Sequence, residues 1–218
     1  MRSTDRMTLA VVLALAAVRA SVTVEALLPL AENLPGPGAV RPGDVITTRS
    51  GRRVQVLDTD FEGRVLMADA LTAALETSEN RKPPRLLVDI ATLTYAAPVA
   101  LGDDVGALLA RDDDAAARVL SAARAAGEPL WRLPVAERYR RQVDVGWAVR
   151  NHPLHERGRA ITAALFLGEF VPRTQPWVHL DVAGPAWQGD ASVEGATGFG
   201  VRTLLGVAHS LEDRHTTN

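Results

Sequence analysis

Apolar positions along the chain switch between runs and helical spacing, and they predict an alternation of helices and strands. Residues 7–18 are almost continuously apolar and read as a buried, alanine-rich helix, followed by a strand over 22–30. Residues 31–38 carry the Pro, Gly and Asn content of a loop. Residues 45–48 and 53–57 flank Ser50-Gly51, a hairpin signal. Over 64–77 the apolar residues Val65, Leu66, Ala68, Ala70, Leu71 and Leu75 recur at helical spacing. Residues 86–91 form a short, nearly all-apolar run, as expected of a central strand covered on both faces. Further helices are predicted over 115–126 and 160–170, a strand over 177–182 and a closing helix over 203–211. The pattern is that of an α/β fold with helices on both faces of a sheet, in one domain spanning 1–218.

Composition narrows the function classes. A chain of 218 residues that is 47% hydrophobic can bury a sizeable core and is not intrinsically disordered. Its net charge of −2 provides no general field for nucleic acid or an anionic membrane, so neither is expected as a partner. Without cysteine there is no disulfide, thiolate metal site or cysteine nucleophile. Arg2 and Arg6 before the first apolar run give it a faint likeness to a secretory signal, but the run is too short to cross a membrane as a helix. Lys82 is the only lysine, in an Asn-Arg-Lys-Pro-Pro segment that reads as an exposed loop.

The chemistry concentrates in Asp58-Thr59-Asp60-Phe61-Glu62-Gly63-Arg64. In an extended segment Asp60, Glu62 and Arg64 would project to one side. Two carboxylates that close repel unless a proton or cation lies between them, and oxygen-rich sites of this kind suit Mg²⁺, Mn²⁺ or Zn²⁺. An adjacent Arg offers a fixed fork of donors to an anion. A mixed-charge turn opening a helix accounts for the same residues.

The segment is similar to the Asn-Thr-Asp-Ala-Glu-Gly-Arg signature of the leucyl aminopeptidase family, the M17 metallopeptidases. Residues 31–35 (Ala-Glu-Asn-Leu-Pro), 41–45 (Arg-Pro-Gly-Asp-Val), 89–94 (Asp-Ile-Ala-Thr-Leu-Thr), 131–134 (Trp-Arg-Leu-Pro), 160–163 (Ala-Ile-Thr-Ala), 179–184 (His-Leu-Asp-Val-Ala-Gly) and 195–198 (Gly-Ala-Thr-Gly) resemble further family landmarks in the same order. The resemblance covers nearly the whole chain and makes the apolar run from Met7 an internal helix rather than a signal. It implies a three-layer αβα catalytic domain with a mixed central sheet, shortened at the N-terminus.

It also implies site residues. Asp60 and Glu62 correspond to metal-bridging carboxylates, and Arg64 to the arginine that holds a bicarbonate general base. Thr92 and Leu93 correspond to the wall of the substrate cleft, and Ala183 and Ala186 to the side-chain pocket; core packing explains these apolar positions equally well. The family's upstream segment, which brings two lysines and an aspartate, has no counterpart in these residues. Gap-free alignment places a third carboxylate at Met1, and Asp5 would serve only with a shift of register. With two secure ligands, at most one weakly held divalent ion, Mn²⁺ or Zn²⁺, is expected.

The signature departs from the family at Asp58 and Phe61, and Tyr95 replaces a glycine. The family's glycine-rich loop has become residues 150–159, where His152, His155 and Glu156 are candidates for a new site or simply a solvated loop; Pro153 disfavours a helical His-x-x-His chelate. His179 reads as a structural histidine on a buried strand. Three readings stand: a cytoplasmic, homo-oligomeric (trimeric or hexameric) metal-dependent hydrolase of an amide or peptide-like small substrate; a non-catalytic binding or assembly module on the same fold; or a piece of a longer aminopeptidase.

Overall fold

The computed structural model describes residues 3–76, 82–190 and 193–212; of 3–7, 190, 193 and 194 it describes the backbone only. The elements in chain order are α1 (Ser3–Ala17), β1 (Val45–Thr47), β2 (Arg53–Gln55), α2 (Glu62–Leu75), β3 (Leu87–Ala91), α3 (Ala96–Leu101), β4 (Gly106–Ala110), α4 (Asp113–Ala126), β5 (Leu130–Leu133), β6 (Val149–Arg150), α5 (Arg159–Gly168), β7 (Trp177–Asp181), β8 (Trp187–Asp190), β9 (Val193–Ala196) and α6 (Val201–Ser210).

The main sheet runs β3-β7-β4-β5. β3 is parallel to β7 and β4 to β5, while β4 and β7 are antiparallel, so the sheet is mixed. Because side chains alternate across a strand, the sheet divides its apolar residues between two cores. On one face Ala107, Leu109 and Trp177 pack with Ala68 and Leu71 of α2, Ala97 of α3 and Leu165 and Phe166 of α5. On the other, Leu108, Val178 and Leu180 pack with Ala115, Ala116 and Val119 of α4 and Val207 of α6. The result is the three-layer αβα arrangement expected. α1 lies outside it, burying Val11 and Leu15 against Ala208 of α6.

Two expectations are corrected. Residues 22–30 form no strand: they pair with no sheet, and Val24, Leu27 and Leu30 stay exposed. Residues 86–91 do form β3, but at the sheet edge rather than its centre, and all five of its residues remain partly exposed. The central strands are β7 and β4; β4 (Gly-Ala-Leu-Leu-Ala) is wholly buried and was signalled only by a five-residue apolar run ahead of the α4 cap at Asp112. The predicted hairpin is present as β1 and β2, with Gly51 supplying the left-handed turn at φ +79°.

Two contacts bind this frame to the residues of interest. Asn151 is buried just beyond β6; its side-chain carbonyl accepts from the Leu57 amide (2.9 Å) and its amide donates to the Asp58 carbonyl (2.6 Å). Gly184 follows β7 where only a glycine fits, since a Cβ there would stand 2.7 Å from the Gly102 carbonyl oxygen.

Candidate active site

The signature is not extended. Residues 59–61 make one 3-10 turn, capped by the Asp58 carboxylate accepting from the Asp60 amide (3.0 Å), and α2 starts at Glu62. In a helical turn residues two apart fall on opposite sides, so Glu62 is turned away from Asp60 and Arg64, contrary to the one-sided projection expected of a strand. Asp60 is exposed and Glu62 half-buried at the helix N-terminus. Arg64, one turn in, is driven into the protein and is 1% exposed.

Arg64 is the most unusual group of the site. None of its three guanidinium nitrogens has a hydrogen-bond partner among the described residues. Its guanidinium carbon lies 4.7 Å from the Phe61 ring centre and 5.9 Å from that of Phe166. Burial pushes its pKa down to about 9; the Asp181 carboxylate works against that shift and the Arg159 cation adds to it. An unpaired buried guanidinium is costly, and its fork of donors suits an oxyanion.

Beside it, β7 carries a polar row on one face. His179 Nδ1 contacts the Asp89 carboxylate of β3 at 2.5 Å, and the other Asp89 oxygen accepts from the Trp177 indole at 2.6 Å. His179 Nε2 is buried without a partner, so this histidine is only half-satisfied rather than the fully satisfied residue expected. Asp181 accepts from the Leu93 amide (3.1 Å), the Thr94 hydroxyl (2.6 Å) and the Ala183 amide (3.3 Å). It thereby ties the segment after β3 to the end of β7. Neither Asp181 nor Thr94 was singled out from sequence; the signal was a carboxylate on a buried strand, whose charge requires local donors.

Of the other candidates, Thr92 is exposed and Leu93 and Ala183 are half-buried at this rim, whereas Ala186 is fully buried in the core. His152 packs edge-on to Phe61 (4.5 Å between centres) and its Nε2 lies 3.1 Å from Arg159. His155 and Glu156 are exposed, the latter paired with Arg159. The side chain of Asp5 lies outside the described residues. Among the described residues no three His, Cys, Asp or Glu side chains converge on a metal-sized site.

The sequence profile of the cytosol aminopeptidase family, catalytic domain, matches residues 6–205. The chain belongs to the cytosol aminopeptidase family. Among similar cytosol aminopeptidase family proteins, the probable cytosol aminopeptidase of Acidovorax sp. (strain JS42) is 44% identical over 205 residues, which are 94% of this chain and 39% of that protein. That of Roseiflexus castenholzii (strain DSM 13941 / HLO8) is 47% identical over 197 residues, 88% of this chain and 39% of the relative. The chain therefore spans about two fifths of these relatives' length. The solved bottromycin maturation enzyme BotP superposes with a TM-score of 0.87 at 41% identity, covering 96% of this chain and 46% of that one. It has also been solved in complex with Mn. A lysine-to-glutamate mutant of tomato leucine aminopeptidase gives a TM-score of 0.75 at 41% identity, over 82% of this chain and 34% of its own. No helix among the described residues is long and apolar enough to cross a membrane.

The polar row gives a pH prediction. Burial disfavours the charged form of His179, but the Asp89 carboxylate and its hydrogen bond outweigh burial, and Asp181 adds to them, so the pKa is raised above 6.5. A raised histidine stabilises fully below its unfolded value, and that stability is lost as pH rises through the folded one. Asp181, whose pKa burial raises above 3.8 despite His179 and its hydrogen bonds, works in the same direction in a more acidic window. The melting temperature should therefore decline as pH rises past neutrality, and His179→Gln should flatten that decline. Equal slopes in variant and parent would refute the assignment.

Proposed function

We propose that this chain is a metal-dependent hydrolase of the aminopeptidase type, acting on an amide or peptide-like small substrate. The observation that carries the proposal is the buried guanidinium of Arg64, without a hydrogen-bond partner among the described residues, close in sequence behind the carboxylates Asp60 and Glu62. The carboxylates fit one half of a divalent-metal site, and the described residues offer no third ligand, so one weakly held Mn²⁺ or Zn²⁺ is the expected complement. A divalent ion held by Asp60 and Glu62 would supply Lewis-acid polarisation and a more acidic water. Arg64 would hold bicarbonate, whose chemistry is that of a general base. Asp181 fixes the main chain of Leu93, Thr94 and Ala183, and so the shape of the rim a substrate backbone would meet. Ala186 belongs to the core behind that rim.

Calorimetric titration with Mn²⁺ tests the metal reading. At most one weak site per chain is expected, abolished in Glu62→Ala; two tight sites would overturn it. The incomplete ligand set favours a second reading, a non-catalytic module of the same fold, which gains if Mn²⁺ produces no Glu62-dependent heat. We further propose a cytoplasmic homo-oligomer, trimeric or hexameric. Light scattering at micromolar concentration should then give a multiple of 23.3 kDa, and a monomer mass would count against it.

A further inference from the structure

The loop over 150–159 adds a second cation to the site. Asn151 pins its start to the signature, and Gly158, at φ +74°, turns the chain into α5 so that Arg159 is the first helical residue. The Arg159 guanidinium lies 5.4 Å from the centre of the Phe61 ring, the ring that also carries Arg64 at 4.7 Å. Arg159 is mostly buried, and its Nε has no partner. One aromatic ring therefore gathers two guanidinium groups that together leave four buried nitrogens unpaired. The two cations repel, and the Arg159 charge helps to lower the pKa of Arg64. Two features blunt it. The Phe61 face attracts cations, and the exposed carboxylate of Glu156 pairs with Arg159 from outside.

We infer that Arg64 and Arg159, gathered on Phe61, form a two-arginine oxyanion site over which Glu156 acts as a built-in competitor. The inference rests on the proposed role of Arg64 and goes beyond it. It assigns the second arm to Arg159 and gives the 150–159 loop a function, with Glu156 yielding Arg159 when an anion enters. A paired guanidinium site takes an oxyanion with at least two acceptor oxygens, a chemistry shared by bicarbonate, inorganic phosphate and a carboxylate. His152 braces the arrangement by stacking edge-on to Phe61 and meeting Arg159 through Nε2.

The test is anion titration followed by thermal melting and calorimetry at constant ionic strength. Bicarbonate and inorganic phosphate are separate arms, with chloride as reference. Saturable stabilisation of the parent chain is expected, with at least tenfold weaker binding in Arg159→Met and several-fold tighter binding in Glu156→Gln. Stabilisation by bicarbonate alone identifies that ion as the occupant; stabilisation by both arms identifies a general oxyanion site. Either result supports the pocket. No saturable effect in the parent overturns the inference. So does binding that is indifferent to Arg159→Met, which would leave Arg64 acting alone and the hydrolase proposal intact. Should Arg159→Met fail to fold, the Glu156→Gln variant decides, because it alters an exposed residue: unchanged affinity there refutes the competitor role and with it the pocket. Failure of the hydrolase reading shows instead as Mn²⁺ titration without Glu62-dependent heat, with anion binding preserved.

Discussion

Leucine anilide hydrolysis by the 218-residue chain should be negligible, even with Mn²⁺ or Zn²⁺ added. The aminopeptidase reaction requires a fixed positive charge where the oxyanion develops, and removing such a stabiliser costs about 10²–10³ in rate. Arg64 is already assigned to the anion it would hold, and Lys82 is the only lysine. Lys82 is exposed ahead of the N-terminal end of β3, whereas the candidate rim lies past its C-terminal end. Five strand residues separate the two by about 16 Å. A metal held by two carboxylates alone loses much of what remains. Any residual hydrolysis, seen first on smaller or more reactive amides, should vanish in Glu62→Ala and Arg64→Met. Turnover at ordinary aminopeptidase rates, abolished by Asp60→Ala, would show that other groups have taken over the missing roles.

Asp181→Ala should be the most destabilising single change near the site. It removes a buried carboxylate that accepts from two amides and a hydroxyl, and it strands the Thr94 oxygen, which is itself buried. Breaking a buried charged network of this kind costs about 3–5 kcal/mol. For a chain of this length that corresponds to a fall in melting temperature of roughly 10–15 °C. Asp181→Asn, which keeps an acceptor oxygen, should lose about half as much. A melting temperature within about 2 °C of the parent in Asp181→Ala would show that Leu93 and Thr94 are held by something else.

The layered fold was legible because its helices and buried strands carry clear apolar periods. Residues 45–57, the signature helix and β7 all lie where their patterns place them. The misreadings share a physical cause: strand character depends on a partner as much as on composition. Residues 22–30 are apolar enough for a strand but have no strand to pair with among the described residues. Residues 86–91 have one neighbour rather than two, and no local pattern distinguishes an edge from a centre in so short an apolar run. In the site, the carboxylates and arginine of the signature could be named from spacing, but their directions could not. The helix begins at Glu62, a boundary that local sequence sets only to within a few residues. The meeting of Phe61 with His152 and Arg159 joins positions some 90 residues apart and left no trace in local pattern.

The edge position of β3 has a further consequence. The Leu87 amide donates inward to the Pro176 carbonyl, so with a period of two the amides of Asp89 and Ala91 also face β7, while those of Val88 and Ile90 face away. No strand among the described residues pairs with that outer rim. Val88 and Ile90 nevertheless send their side chains into the core beneath α4 and α6. Their backbone is thus half a ladder on a rigid support, with outward amides that no described strand engages. In deuterated solvent the two amides should exchange far faster than their inward-facing neighbours, and any partner that lays an extended segment along β3 should reveal itself by slowing those two first.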